Sequence, residues 1–223
     1  MSADLDQGPE NDRVTTAYRL GTAAAGAGST AAAALSILSE RLRADVESVR
    51  RAASYGLRVA GAVALPTLLD ALSDARPQLR RPAVAALGNQ WAATNEAISV
   101  VTELLADHDD LVRSNAALTL GQMGRCESLD QEAAASIANA LLGCLATGAE
   151  ADNAHGANFS RSTVRESAAH ALTQLTGTHQ LGSDTLQKLR DVAADDTDRY
   201  VRGLVAVAAG TLADGHGGAW PPK

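Results

Sequence analysis

Val49-Arg50-Arg51-Ala52-Ala53 is a phrase that this chain writes five times. It returns as Leu79-Arg80-Arg81-Pro82-Ala83, Val112-Arg113-Ser114-Asn115-Ala116, Val164-Arg165-Glu166-Ser167-Ala168 and Val201-Arg202-Gly203-Leu204-Val205. Counting the first residue as zero, position +4 is always small and apolar: Ala53, Ala83, Ala116, Ala168, Val205. Position +8 is Leu57, Leu87, Leu120, Leu172 and Ala209, and position +11 is Ala60, Gln90, Met123, Leu175 and Leu212. Positions 0, +4, +8 and +11 share one face of an α-helix, so the spacing predicts five amphipathic helices with one apolar stripe each.

The copies begin 30, 33, 52 and 37 residues apart. A helix of about fifteen residues, a turn, a second helix and another turn fill such a length. Stripes for the second helices follow: Leu65, Leu68, Leu69 and Leu72; Ile98, Val101, Leu104 and Leu105; Ile137, Leu141, Leu142 and Leu145; Leu186, Leu189 and Val192. Gly61, Gly88, Gly124 and Gly177 stand near first-helix ends, where left-handed caps are expected. Pro66 suits the first turn of a second helix. Pro82, three residues into its motif, is expected to break or kink that first helix. Residues 11 to 43 read as one more pair, since Leu20-Gly21 echoes Leu87-Gly88 and Leu120-Gly121.

A charged regularity accompanies the apolar one. Asp74, Asp107 and Asp196 each precede a motif arginine (Arg80, Arg113, Arg202) by six residues. Asp45 stands five before Arg50, and Phe159 stands six before Arg165. An Asp in the turn with Val-Arg opening the next helix resembles the HEAT repeat, in particular the short bacterial type shared with phycobilisome-lyase-like proteins. The resemblance covers about residues 45 to 213. It implies an all-α, right-handed α-α superhelix of about five to six helical pairs, with these Asp and Arg residues forming a structural ladder between neighbouring repeats. It also implies that Arg50, Arg80, Arg113, Arg165, Arg202, Asp74, Asp107 and Asp196 serve architecture rather than chemistry. The expected layout is a disordered segment 1–11, one repeat domain 12–214 carrying an insertion loop 151–160, and a tail 215–223.

Composition agrees with packed helices. Hydrophobic residues make up 46% of the 223 and aromatics only 3%, so Ala and Leu supply the core. The formal net charge is −7, which weighs against a nucleic-acid partner, because phosphate neutralisation needs a basic face. Charges interrupt the apolar stretches, so no membrane span is expected. The acidic, polar start lacks the pattern of a secretory signal, and the cytoplasm is the expected location.

Catalytic constellations fail on spacing. The five histidines share no i, i+3 or i, i+4 pairing, and Cys126 and Cys144 are 18 residues apart without a CxxC motif. There is no phosphate-binding glycine loop and no nucleophile elbow. His170 falls on a solvated face of its helix. Asp109-Asp110 and Asp195-Asp196 sit at inter-repeat turns, where carboxylates cap helices. No cofactor and no metal is expected.

What remains for function are departures from the repeat. Trp91 stands where other copies have small residues, and either fills a gap beside Pro82 or anchors an interface. Arg51 and Arg81 double the basic edge and could meet an acidic partner. His155 and Phe159 lie in the polar insertion, which is either a binding loop or a tolerated one. Trp220, in the tail, either folds over the solenoid end or leaves it to a partner. The expected function is a non-catalytic protein-binding scaffold or accessory subunit that holds a protein partner in the groove of the second helices. That partner could be an enzyme subunit or a second copy. The alternative is a lyase- or chaperone-like protein holding a bilin-type cofactor in the same groove.

Overall fold

In the computed structural model of the chain, residues 5–6, 9–89, 93–147 and 164–214 are described. Eleven helices of eight residues or more run through them: α1 Glu10–Ala24, α2 Ser29–Leu42, α3 Glu47–Ala60, α4 Leu65–Leu72, α5 Pro77–Ala86, α6 Asn95–Glu103, α7 Asp110–Met123, α8 Gln131–Thr147, α9 Val164–Thr176, α10 Ser183–Asp195 and α11 Arg199–Ala213. No strand occurs among the described residues. The five motif phrases open α3, α5, α7, α9 and α11, and their stripe is the core. Ala53, Ala83, Ala116, Ala168 and Val205 are all fully buried, as are Leu57, Leu87, Leu120 and Leu172. A small residue at +4 lets the helix axes approach, while leucine at +8 fills the space between them.

The chain divides into two compact units, Met1–Ala92 and Ala93–Lys223. In the first, α1 packs on α3, α3 on α5, and α2 lies against both α1 and α3. In the second, α7 packs on α9 and α9 on α11, with α8 against α9 and α10 against α11. Motif helices therefore stack on motif helices within each unit, and second helices stand beside them. Glycine permits the closest approaches. A Cβ on Gly56 would lie 2.7 Å from the Ala17 carbonyl oxygen, and one on Gly121 would lie 2.6 Å from the Ala171 Cα.

Several expectations need correction. Among the four cap glycines, only Gly61 has a positive φ, at +75°, and Gly124 is right-handed at φ −61°. Gly124 instead sits against Leu175, where a Cβ would come within 2.6 Å of a methyl carbon. Pro82 does not break its helix: α5 runs from Pro77 to Ala86 through it. The amide that proline lacks would have bonded the Gln78 carbonyl one turn back. Its own carbonyl takes a hydrogen bond from Ser54 Oγ at 2.6 Å, which ties α5 to α3. Residues 1–11 are not uniformly without structure, because Leu5 is fully buried and Asp6 pairs with Arg41 at 2.7 Å.

The helical run Glu47–Leu72 contains an 18-residue window long and apolar enough to cross a membrane by length and composition, contrary to the reading of interrupted apolar stretches. In the fold it is two helices and a short 3-10 turn, Gly61–Ala64, and its apolar side chains (Val49, Leu57, Leu68, Leu72) are buried in the core of the first unit. Pro66 lies in the first turn of α4, where its missing N–H is without cost.

Candidate functional site

The regular arginines act on backbone. Nη1 of Arg50 donates to the Ala44 carbonyl at 2.8 Å and the Asp45 carbonyl at 2.5 Å. Arg80 donates to the Asp74 and Ala75 carbonyls at 2.8 and 3.0 Å, Arg113 to the Asp107 carbonyl at 2.7 Å, and Arg202 to the Asp196 carbonyl at 2.6 Å. In all four the partner is the carbonyl six residues back, so the side chain there does not enter the bond. This explains why Ala44 serves as well as Asp74, Asp107 or Asp196. The carbonyls belong to the turn just after a second helix, which would otherwise end in unpaired acceptors.

The aspartates at that position do a second job. Oδ1 of Asp74 accepts the Arg76 amide at 2.9 Å, Asp107 accepts the Asp109 amide at 2.8 Å, and Asp196 accepts the Asp198 amide at 2.9 Å. Each closes a small side-chain turn that aims the chain into the next helix. The Arg76 guanidinium and amide hold the Asp74 carboxyl below its ordinary value. Asp109 caps α7 by accepting the Val112 amide, as expected, but at the later turn the cap is Asp198 rather than Asp195 or Asp196.

Arg165 departs from the pattern. Its Nε donates to the Leu145 carbonyl at 3.1 Å, and an Nη donates to the carboxylate of Asp196, thirty-one residues on. Both side chains are nearly closed to solvent, at 7% and 6% exposure. This is a rung from one repeat to the next, made by carboxylate and guanidinium, and it joins the start of α9 to the turn before α11.

Of the departures singled out for function, Trp91, His155, Phe159 and Trp220 lie outside the described residues. Arg51 is exposed on α3, and Arg81 is half-buried on α5. His170 is exposed and pairs with Gln174 at 3.0 Å, as a solvated position would. Cys144 is buried and its thiol is pushed up by that burial, with Arg113 opposing. Cys126 shares a hydrogen bond with Ser128 at 3.1 Å. Among the described residues no group of His, Cys, Asp and Glu could hold a metal ion.

A site that none of these residues lines lies between α6 and α8, two successive second helices. Thr94 caps α6 through the Ala97 amide at 3.2 Å, and Asp130 accepts the Ala133 amide at 2.7 Å at the start of α8. Each helix buries its apolar stripe: Ala97, Ile98 and Val101 on α6, and Ala134, Ile137, Ala138, Leu141 and Leu145 on α8. The periodicity that turns those residues inward leaves Asn95, Ser99, Thr102 and Glu103 on α6, with Glu132, Ala133 and Ser136 on α8, around an open cleft of about 400 Å³. Asp130 completes the rim. Glu103, Asp130 and Glu132 are all exposed, and none forms an ion pair with any described residue.

The sequence held a signal for this site that residue-by-residue reading passed over. Residues 1–92 carry ten basic and nine acidic side chains, whereas residues 93–223 carry nine and seventeen. The whole negative charge of the protein thus belongs to the second unit. Charge asymmetry between halves points to a partner of the opposite sign.

Paired helices opened by Val-Arg and stacked motif on motif define a helical repeat protein. Residues 65–157 match the family model for HEAT repeats, and over that stretch the chain is similar to HEAT-like repeat proteins. Solved structures share the architecture. The complex of CpcE and CpcF of phycocyanin lyase from Nostoc sp. PCC7120 is similar at 24% identity, covering 79% of this chain and 98% of that one, with a TM-score of 0.63. An engineered protein is similar at 19% identity, covering 96% of both chains, with a TM-score of 0.59. A designed armadillo repeat protein in complex with the peptide (KR)4 is similar at 18% identity, covering 95% and 97%, with a TM-score of 0.56. At these identities the likeness is one of fold. No curated protein matches the sequence.

Proposed function

We propose that the chain is a non-catalytic protein-binding scaffold that holds an extended segment of a partner protein along its second helices. The observation that carries this reading is the cleft between α6 and α8. Its walls are two parallel rows of polar side chains on helices whose cores are already satisfied from the other side. Repeat proteins of this kind bury their core pair by pair and leave such a surface free. Asn95, Ser99, Thr102 and Ser136 supply short donors and acceptors of the sort that pair with a peptide backbone. The designed armadillo protein of similar fold is described in complex with a peptide, which supports the same use of the architecture.

A bilin-type ligand fits the cleft less well. Such a molecule is largely apolar and carries carboxylates, whereas the rim here holds Glu103, Asp130 and Glu132 with only Ile98 and Ala133 as apolar lining. The test is site-specific photocrosslinking in the host cell. A crosslinker at Ser99 or Ser136 should capture a discrete protein, and one at Arg51 on the exposed side of α3 should not. Capture at Arg51 with none at the cleft would overturn the proposal, as would a visible absorbance travelling stoichiometrically with the purified protein.

A further inference from the structure

We infer that the outer side of α11 is a surface for a second copy of this chain, which lays its own α11 antiparallel on the first. This goes beyond the scaffold reading and does not depend on the cleft.

The repeat itself shows what belongs on that side. Positions +5, +9 and +12 of a motif helix turn toward the next motif helix. On α7 these are Ala117, Gly121 and Gly124, all buried, and a Cβ on either glycine would lie 2.6 Å from an atom of α9. On α1 the equivalent residues are Ala17, Gly21 and Ala24, again all buried, with Gly21 set against Gly56 and Val59 of α3. On α3 the +5 residue is Ser54, which bonds the Pro82 carbonyl of α5, although Arg58 at +9 is exposed. On α11 the same three positions are Ala206, Gly210 and Ala213, and all three are exposed. A Cβ on Gly210 would meet nothing within 4 Å. Among the described residues, α9 lies between two motif helices, α7 and α11, whereas α11 has a motif helix on one side only. The open side of α11 thus continues an interface that the chain already builds elsewhere, and its occupant is a helix.

The charges and glycines say which helix. Arg199, Gly203, Ala206, Gly210 and Ala213 recur every three or four residues and share one side of α11. Gly203 is exposed too, with nothing within 4 Å of an added Cβ. The point midway between Gly203 and Gly210 is also midway between Arg199 and Asp214. A two-fold axis there sets each glycine against the other glycine of the second copy, and each Arg199 beside Asp214 of the second copy. Opposite charges meet at both ends, and the bare crossing points let the backbones approach as α7 and α9 do. A head-to-tail stack fits worse. The helix that docks on such a glycine presents a small residue at +7, Gly56 on α3 and Ala171 on α9, whereas α1 has Arg19 there. The fifteen residues of α11 span about 22 Å, so the contact is smaller than a standard interface and the dimer is a reversible one.

Sedimentation equilibrium of the full chain between about 1 and 200 µM tests this. The mass should rise from one copy toward two and stop there. Gly210→Arg adds a side chain where the monomer leaves open space, so it should keep the helical circular dichroism and abolish the rise. Gly143→Arg, at an equally open glycine of α8, should leave the rise unchanged. Arg199→Asp should weaken association by roughly fivefold, and adding Asp214→Arg in the same chain should restore it. A chain that stays monomeric throughout overturns the inference and leaves the face to residues 215–223 or to another protein. A dimer that survives Gly210→Arg, a mass that climbs past two copies, or failure of the second charge reversal to restore association overturns it as well.

Discussion

Arg165 and Asp196 form a buried guanidinium–carboxylate pair across thirty-one residues of chain, with the Leu145 carbonyl on the same arginine. Arg50, Arg80, Arg113 and Arg202 hold carbonyls five or six residues back. Arg165 spans two repeats. Removing one partner leaves the other charge in a site nearly closed to solvent. Arg165→Met or Asp196→Asn should each cost about 3–5 kcal/mol of unfolding free energy. The double variant should cost less than the sum, because it leaves no orphaned charge. Urea denaturation of the four proteins measures this, and additive losses would mean that the two side chains act independently.

The helix glycines predict opposite signs. At Gly121 a methyl would meet the Ala171 backbone at 2.6 Å, so Gly121→Ala must separate α7 from α9 and should destabilise by about 1–3 kcal/mol. At Gly210, inside α11, a methyl meets nothing within 4 Å. Gly210→Ala should stabilise by about 0.4–1 kcal/mol through the helix propensity and the unfolded chain. Thermal denaturation of both variants should give shifts in opposite directions.

Pro82 lies in the interior of α5 without breaking it. Alanine there returns an amide donor to the Gln78 carbonyl and leaves the Ser54 bond to the residue-82 carbonyl in place. Pro82→Ala should raise stability by about 1 kcal/mol or more. A loss of stability would show that the proline ring itself is a needed part of the packing.

The two cysteines should differ in reactivity and in pH behaviour. A thiol reagent should modify half-buried Cys126 in the native protein and Cys144 only on unfolding. Burial raises the Cys144 thiol in the folded state, so the unfolded chain ionises first. Its contribution is complete below the unfolded value and is lost as pH climbs past about 8.5. The stability advantage of the wild type over Cys144→Ala should therefore shrink between about pH 8 and pH 10, as read by denaturant titrations across that range.

The architecture was legible because its determinants are local and periodic. Val112, Ala116, Leu120 and Met123 are spaced as one helix face, and all four are fully buried. What the arginines bind was not legible, because a carbonyl has no letter in a sequence. Asp74, Asp107 and Asp196 read as rungs of a ladder, and the arginine six residues on binds their backbones, while the Asp196 carboxylate makes its rung with Arg165 of the neighbouring repeat. Gly124 read as a left-handed helix ending because glycine often is one, and its contact with Leu175 comes from a neighbouring helix about fifty residues away. The cleft escaped notice for a different reason. Ser99, Thr102 and Glu103 are ordinary residues for an exposed helix face, and only the approach of α8 turns that face into a wall.

Anchoring each motif arginine to a main-chain oxygen has a consequence for how such a chain can change over time. Ala44, Asp74, Asp107 and Asp196 all offer the same main-chain acceptor, so the bond from each arginine to its own turn survives a change of side chain there, and only added duties such as the pairing of Asp196 with Arg165 hold a particular residue in place. The arginine asks only for the path of the backbone. A joint of that kind can be copied, lengthened on its far side or repopulated with new surface residues one repeat at a time, and the parts that meet a partner can evolve while the fastening stays as it was.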